Sequence, residues 1–325
     1  MFYSLPIEVQ FDVLKCLNFN QLFSFKQINF YSLNLINKYE NELARMKFDL
    51  LYIKDYNLIE DQKYGFRIIA PESVTSEFIL NDQLLEKWEA AIAKSIPLFL
   101  HNIKRYNECT EFSIRLFRPN FNLKLPNIQK NIEEMIIIRF WLEQFFKCAF
   151  IEGRFRYIIF NPQMINLLFD NDKTIPLQFN IKEPNVQLKN NKFDDFLKFT
   201  LNHLANSANL KLDLFNVKNL EQYADILFNI LTNEGNKFPK VYFECPGLTK
   251  LCDLIIEYIT TSKDCSKMVP VINLYHIFYP KSKLKKLAKT VESCNDSVYQ
   301  IANIYNPKVK FVITNVYIRI TIERM

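Results

Sequence analysis

Glycine is almost missing. The chain has 4 in 325 residues, where average usage would give roughly 20. That excludes collagen-like and glycine-rich low-complexity chains. No two glycines lie close together, which also excludes the phosphate-cradling loops GxGxxG and GxxxxGK[ST]; no GxSxG nucleophile turn occurs either. Histidine is scarce too. His101, His203 and His276 are far apart, with no HExxH or similar metal spacing. The seven cysteines, at 16, 109, 148, 245, 252, 265 and 294, are odd in number and contain no CxxC pair. They read as reduced thiols of an intracellular protein, cytoplasmic or nuclear, and not as a disulfide framework. Cys245, Cys252 and Cys265 would leave a zinc ion without an evident fourth ligand, so they read as buried small side chains. Long apolar runs are missing as well. The most apolar stretch, Met135–Ile151, is cut by Arg139, Glu143 and Lys147, whose spacing puts them on one helical face as a solvated stripe. The start, MFYSLPIEVQFDVL, has no basic region and carries Pro6, Glu8 and Asp12, so no secretory leader is expected. No catalytic residue, metal, cofactor or membrane partner is expected.

What the chain has is apolar residues (49%), modest charge (23%) and a net +6. This suffices for a packed core and excludes a mostly disordered chain. From Gly235 onward 14 Lys/Arg stand against 7 Asp/Glu. Lys281, Lys283, Lys285, Lys286 and Lys289 read as the solvated face of a helix whose Leu284, Leu287 and Val291 point inward. A nucleic-acid patch is the alternative, but aromatic residues do not interleave with these lysines as base stacking requires. Asn makes up about one residue in ten, and is expected to end helices in left-handed geometry where glycine is missing.

Three segments are expected: 1–45, 46–150 and 151–325. Leu5, Val9, Val13 and Leu17 form an apolar helical stripe, with Pro6 in the first turn. Asn18–Asn20 break the pattern, and Gln21–Gln27 makes a short second helix. A third helical run covers Phe30–Ile53, with Leu33, Ile36, Tyr39, Leu43 and Met46 on one side. Further along, Phe66–Ile69, Phe78–Leu80 and Phe112–Phe117 read as strands. Asp82 caps a helix to about Ser95, and Pro126 opens a long helix to about Phe150. The rest is periodic. Strand-like runs at Phe155–Phe160, Leu177–Ile181, Leu210–Phe215, Val241–Cys245 and Val271–Ile277 alternate with helical runs at Pro162–Phe169, Lys192–Leu204, Leu220–Thr232, Leu248–Thr261 and Ser282–Val291. A strand near Tyr299–Ile304 and the alternating tail Lys310–Glu323 close the array. Strand–helix units at this spacing predict an α/β solenoid-like region; a doubly wound sheet would alternate in the same way.

The first fifty residues are the most specific. Ser4-Leu5-Pro6-Ile7-Glu8-Val9, then Val13-Leu14-Lys15-Cys16-Leu17, then Gln21-Leu22-Phe23-Ser24-Phe25-Lys26-Gln27-Ile28, and finally Tyr31 and Leu33 resemble the F-box. The third helix departs from the family by opening with Phe30-Tyr31 and no basic pair. The whole chain is also similar to the divergent F-box groups of nematodes, in which an F-box precedes a poorly characterised β/α region; here Leu210-x-Leu212-x-Leu214 and Val241-x-Phe243-x-Cys245 look like the strand half of a leucine-rich repeat. The resemblance implies a fold of three N-terminal helices followed by that β/α region. It implies a non-catalytic role as substrate-recognition subunit of an SCF-type (Skp–cullin–F-box) ubiquitin ligase. Leu5, Pro6, Val9, Leu14, Leu17, Leu22 and Phe25 would contact a Skp-type adaptor and, through it, a cullin. The residues themselves agree in one respect. About 45 residues cannot bury Leu5, Val9, Val13, Leu14, Leu17, Leu22, Phe25 and Ile28 alone, so the surplus must meet the rest of the chain or a partner. A helical cap on the solenoid is the alternative, and a scaffold outside any ligase is another.

Strand alternation separates two faces of the repeat region. Leu210, Leu212, Leu214, Val241, Phe243 and Cys245 face inward. Gln178, Asn180, Lys211, Asp213, Tyr242, Glu244, Asn273 and Tyr275 are therefore expected to face outward and to contact a protein substrate.

Overall fold

The computed structural model describes residues 2–55, 65–69, 78, 80–101, 111–118, 120–170, 172, 174–189, 193–205, 207–280, 282–284 and 298–325. Cys109, Cys294 and most of the basic run, Lys281 and residues 285–289, lie outside them, as does residue 79 of the strand expected at Phe78–Leu80.

Three helices open the fold: α1 (Ile7–Lys15), α2 (Phe19–Lys26) and α3 (Phe30–Lys38). They close on a small core of Leu14, Leu22, Leu35, Ile36 and Leu43. The Asn18 side chain accepts from the Gln21 N–H while Gln21 bonds back to Asn18, a reciprocal cap that starts α2. Asn29 caps α3 in the same position. Asn81 caps α4 (Asp82–Ala93), Asn131 caps α5 (Ile132–Lys147) and Asn161 caps α6 (Pro162–Phe169). The abundant Asn therefore starts helices here; it was expected to end them. Its carbonyl oxygen satisfies an orphan N–H of the first turn. Asn219 alone among the described asparagines takes a left-handed φ. These caps also correct two expected starts. Asp82 is the first helical residue and not the cap, and Pro126 ends a strand five residues before Asn131.

The third helix stops at Lys38, fifteen residues short of expectation. Met46–Asp55 is the first strand, β1. Its Leu51 and Ile53 are buried by pairing with distant strands, and that tertiary pairing overrides a spacing that happens to fit a helix. The remaining strands are β2 (Arg67–Ile69), β3 (Phe99–His101), β4 (Glu111–Phe117), β5 (Phe121–Pro126), β6 (Cys148–Arg156), β7 (Ile158–Phe160), β8 (Phe179–Lys189), β9 (Leu204–Ala205), β10 (Leu210–Asn216), β11 (Lys240–Glu244), β12 (Val271–Tyr275), β13 (Val298–Ala302), β14 (Lys310–Val316) and β15 (Arg319–Arg324). Helices α7 (Phe193–His203), α8 (Ala224–Asn233) and α9 (Thr249–Thr261) fall between the later strands.

One mixed sheet runs through most of the chain, in the order β13-β14-β15-β12-β11-β10-β8-β6-β1-β4-β5-β2, with β9 beside β8. The boundary expected at residue 150 falls inside β6. From β6 onward the parallel strands β8, β10, β11 and β12 are added in chain order, always on the far side of the previous one. The order does not reverse, so these strands make no switch crevice of the doubly wound kind. One face of this block is buried. Leu210, Leu212, Leu214, Val241, Phe243, Ile272 and Leu274 share a core with Phe196 of α7, Leu227 of α8 and Ile255 of α9. The tail folds back as expected: β15 lies antiparallel between β12 and β14.

Strand β8 continues past Ile181, where the expected strand ended, through Lys-Glu-Pro-Asn. Pro184 is accepted because the inward alternation slips there. In β1, β6 and β8 the facing changes between Phe48 and Leu51, Phe150 and Gly153, and Ile181 and Pro184. Proline sits in central strands at such irregularities. Arg139 is a further correction. It is buried and not solvated, donating to the Leu168 carbonyl (2.6 Å) and Asp172 (3.0 Å) between the rings of Phe78 and Phe169. Among the described residues no helix is long and apolar enough to cross a membrane.

Glu40 ties the N-terminal helices to the sheet. Its carboxylate meets Lys26 of α2 at 3.2 Å and Lys147 of α5 at 3.0 Å; Lys147 also pairs with Glu143. Burial alone would push the Glu40 carboxyl up, but Lys147 and Lys26 outweigh it and hold it below its ordinary value of 4.5. A depressed carboxyl stabilises fully above the unfolded value and stops doing so as the pH falls through the folded one. Limited proteolysis between residues 38 and 46 should therefore accelerate below about pH 4. In Glu40→Gln cleavage should be fast already at pH 7 and gain less on acidification; equal pH profiles would refute the strap.

Candidate functional site

Two surfaces deserve the name. The first is on the N-terminal helices. Leu14 and Leu22 lie inside the three-helix core, Leu5, Leu17 and Phe25 are half-buried, and Pro6 and Val9 are exposed. Two of the seven expected adaptor contacts thus face inward and hold the helices together. The outward apolar side chains on α1 are Ile7 (38% exposed), Val9 (42%) and Val13 (39%), the last two one helical turn apart. Sequence selection left out Val13, and also Ile28 (61%) and Phe30 (75%) at the start of α3. Gln10 brings these parts together. Its Nε2 donates to the Leu5 carbonyl (2.8 Å), and its Oε1 accepts from the Tyr31 hydroxyl (2.8 Å). Tyr3 packs edge-on against Tyr31 at 5.5 Å. The Leu-Pro turn, α1 and the start of α3 are thereby tied together.

The second surface is the sheet face that α7, α8 and α9 leave uncovered. Register aligns Tyr52, Arg154, Asn185, Lys211, Tyr242, Asn273, Thr321 and Thr314 in one row across eight strands. The next row runs Arg156, Gln187, Asp213, Glu244, Tyr275, Arg319. Five of the eight expected substrate contacts, Lys211, Asp213, Tyr242, Glu244 and Tyr275, line one shallow depression of about 440 Å³ with Asn185. The Tyr242 and Tyr275 rings are near-parallel at 6.3 Å. Lys211 and Lys240 lie over Tyr242, and Arg319 lies over Tyr275 at 5.2 Å. Cations and aromatics therefore interleave on this face. Arg154 is held by both oxygens of Glu152, at 2.6 and 2.9 Å.

The other three expected contacts are placed differently. Gln178 precedes β8, near the Asn202 carbonyl. Asn180 is turned inward and donates to the Phe146 carbonyl at 3.2 Å. Asn273 is in the row but fully buried; its Oδ1 accepts from Arg319 (2.7 Å) and Thr321 (3.1 Å). Arg319 and Thr321, which sequence reading did not select, carry the face onto β15.

Residues 69–215 match a family described only as a domain of unknown function, DUF8381. No curated protein and no solved structure matches the chain. The matched span begins in β2 and ends in β10. It includes Asn185, Lys211 and Asp213 of the depression, and excludes the three N-terminal helices and β11–β15.

Buried titratable groups sit away from both surfaces. Burial pushes the Cys252 thiol up to about 12 and raises Cys245 well above its ordinary value. Burial lowers His203, whose Nδ1 meets the Leu177 carbonyl at 2.8 Å. Among the described residues no three His, Cys, Asp or Glu side chains are grouped to hold a metal ion. Cys16 is exposed just past the end of α1. Iodoacetamide at pH 8 should therefore modify Cys16 roughly 100-fold faster than Cys245 or Cys252 in the folded chain. Peptide mapping that finds equal rates would contradict the packing of β11 on α9.

Proposed function

We propose that this chain is the substrate-recognition subunit of an SCF-type ubiquitin ligase. The N-terminal helices dock a Skp-type adaptor, which joins a cullin, and the open sheet face holds a protein target. The observation that carries this reading is the leftover apolar surface of α1 and the α3 start. The three-helix core is already closed by Leu14, Leu22, Leu35, Ile36 and Leu43, yet Val9, Val13, Ile28 and Phe30 stay outside it. A cap serving only the sheet would turn such residues toward the sheet; a helix-in-groove partner needs them outside. In this reading the β6-to-β12 block is solenoid-like, because each strand–helix unit buries its apolar side against its chain neighbours. The subunit does no covalent chemistry. It raises the local concentration of the target beside the transferring enzyme.

Co-expression with a Skp-type adaptor and size-exclusion chromatography test this. A one-to-one complex, lost on deletion of residues 1–45, is the expected result; a monomer that ignores the adaptor would overturn it. A complex unable to support cullin-dependent ubiquitin transfer would leave a scaffold and not a ligase subunit. For the sheet face, Asp213→Lys with Glu244→Lys should weaken target capture at least tenfold, since reversing neighbouring charges imposes like-charge contacts on a complementary partner. The melting temperature should hold, because both side chains lie on the open face; unchanged capture counts against the face.

A further inference from the structure

Two carboxylates stand side by side in the depression of the open sheet face. Asp213 of β10 and Glu244 of β11 are register neighbours there. Like charges placed next to each other on one sheet face repel. Among the described residues neither is in an ion pair: Asp213 accepts the Phe215 N–H at 3.0 Å, and the Glu244 carboxylate accepts no hydrogen bond. The nearby cations are engaged elsewhere. Lys211 and Lys240 lie over the Tyr242 ring and Arg319 over Tyr275, while the Arg319 guanidinium donates to Asn273 and Thr321. Asn273 adds a second unmet demand. It is fully buried, next to Tyr242 in the register. Arg319 and Thr321 of β15 take its Oδ1, so its Nδ2 is turned the other way, toward β11 and the depression, and has no partner. A buried amide donor without an acceptor is costly. Past the carboxylates the face becomes apolar. Phe215 follows Asp213 by two residues, about 7 Å along the strand. It is exposed and meets His276 edge-on at 5.7 Å.

We propose that the depression seats an arginine side chain of the protein target, carried by an extended segment with a large apolar residue two positions away. This rests on the reading that the open face holds a protein target, and it names the chemistry that target must show. Three features select it. The paired carboxylates lack a cation, and a guanidinium presents five donors in a flat fork that can serve both strands at once, where an ammonium is a point charge. The Nδ2 of Asn273 needs an acceptor, which a carbonyl of the target's own main chain supplies as the tyrosine rings give way. An extended segment repeats its facing every two residues, so an apolar side chain two positions from the arginine falls on Phe215. The tyrosine rings meanwhile give the apolar stem of the arginine a surface to lie along.

The probe is the peptide acetyl-Leu-Ser-Arg-Ser-Leu amide, which places an apolar residue two positions from arginine in either direction. Titrated against the full chain and followed by NMR, it should saturate at one site per chain. Citrulline in place of arginine keeps the shape and loses the charge, and should weaken binding by about tenfold or more; lysine should weaken it about fivefold. Glu244→Gln removes one charge from an exposed side chain, and should weaken the arginine peptide about tenfold while leaving the citrulline peptide unchanged. Phe215→Ala should weaken both peptides alike, by about threefold. Circular dichroism establishes that each variant is folded; should Glu244→Gln misfold, the arginine-against-citrulline comparison decides alone. A ten-uridine RNA should not displace the peptide. Failure to saturate, equal binding of the arginine and citrulline peptides, full affinity in folded Glu244→Gln, or displacement by the RNA would overturn the site. Adaptor capture is read separately. A chain that binds the peptide and ignores the adaptor keeps this site and loses the ligase reading; one that takes the adaptor and not the peptide does the reverse.

Discussion

Val9→Asp with Val13→Asp should abolish capture of a Skp-type adaptor while leaving the chain folded. Both side chains are exposed, so neither substitution buries a charge in the free protein. In a complex each would place a carboxylate in an apolar groove. Centrally placed anchors cost about 2 kcal/mol or more when removed, and a buried unpaired charge adds to that. The pair should thus lower affinity more than about 100-fold, which pull-down and calorimetry would both register. Leu14→Ala serves as the contrast. Leu14 fills the three-helix core, so its loss should cost about 2–5 kcal/mol of local stability. Any loss of adaptor binding would then accompany unfolding of α1–α3. Adaptor capture that survives the double aspartate would refute the proposed docking surface, whatever Leu14→Ala does.

Gly235→Ala should be the most destabilising single-methyl substitution in the sheet region. A Cβ there would stand 2.4 Å from the Met268 carbonyl oxygen and 2.6 Å from that of Lys267. The approach cannot relax cheaply. Gly235 donates its own N–H to the Lys267 carbonyl at 2.8 Å, and Val269 is held to Leu231 at 2.8 Å. Backbone must move on one side or the other, at a cost of roughly 3 kcal/mol or more. Gly153→Ala provides the comparison. Its Cβ would stand 2.8 Å from Cδ1 of Ile181, the far end of a side chain that can change rotamer. About 1–2 kcal/mol is expected there. Urea unfolding separates the two. If Gly235→Ala unfolds no earlier than Gly153→Ala, the contact between the end of α8 and the approach to β12 is wrong.

These positions also show where sequence alone was informative. Pro162–Phe169, Thr249–Thr261 and the strands from Leu210 and Lys240 follow their patterns because each unit buries its own stripe against a neighbour. The outward facing of Lys211, Asp213, Tyr242 and Glu244 was legible for the same reason: alternation of period two is local. What failed was non-local. β1 lies within a helical spacing, and only its pairing with Glu111–Phe117 of β4 and Cys148–Arg156 of β6, both far along the chain, makes it a strand. Asn180 is turned inward toward the end of α5, ahead of the slip in β8. Asn273 obeys alternation yet is buried by Arg319 and Thr321, supplied from the far end of the sequence. Val13 and Phe30 resemble Leu14 and Leu22 in composition; which of them face out depends on how three short helices close on one another.

The position of β15 has a consequence for handling the protein. It is the bond between β12 and the β13–β14 pair, paired on both sides along its whole length. Without residues 319–324, β12 would present a bare row of parallel-strand amides, and β14 another. Exposed edges of that kind template pairing between molecules. A truncation there should produce assemblies that grow with concentration, through strand exchange at those two edges, whereas an equally short cut at α1 should not.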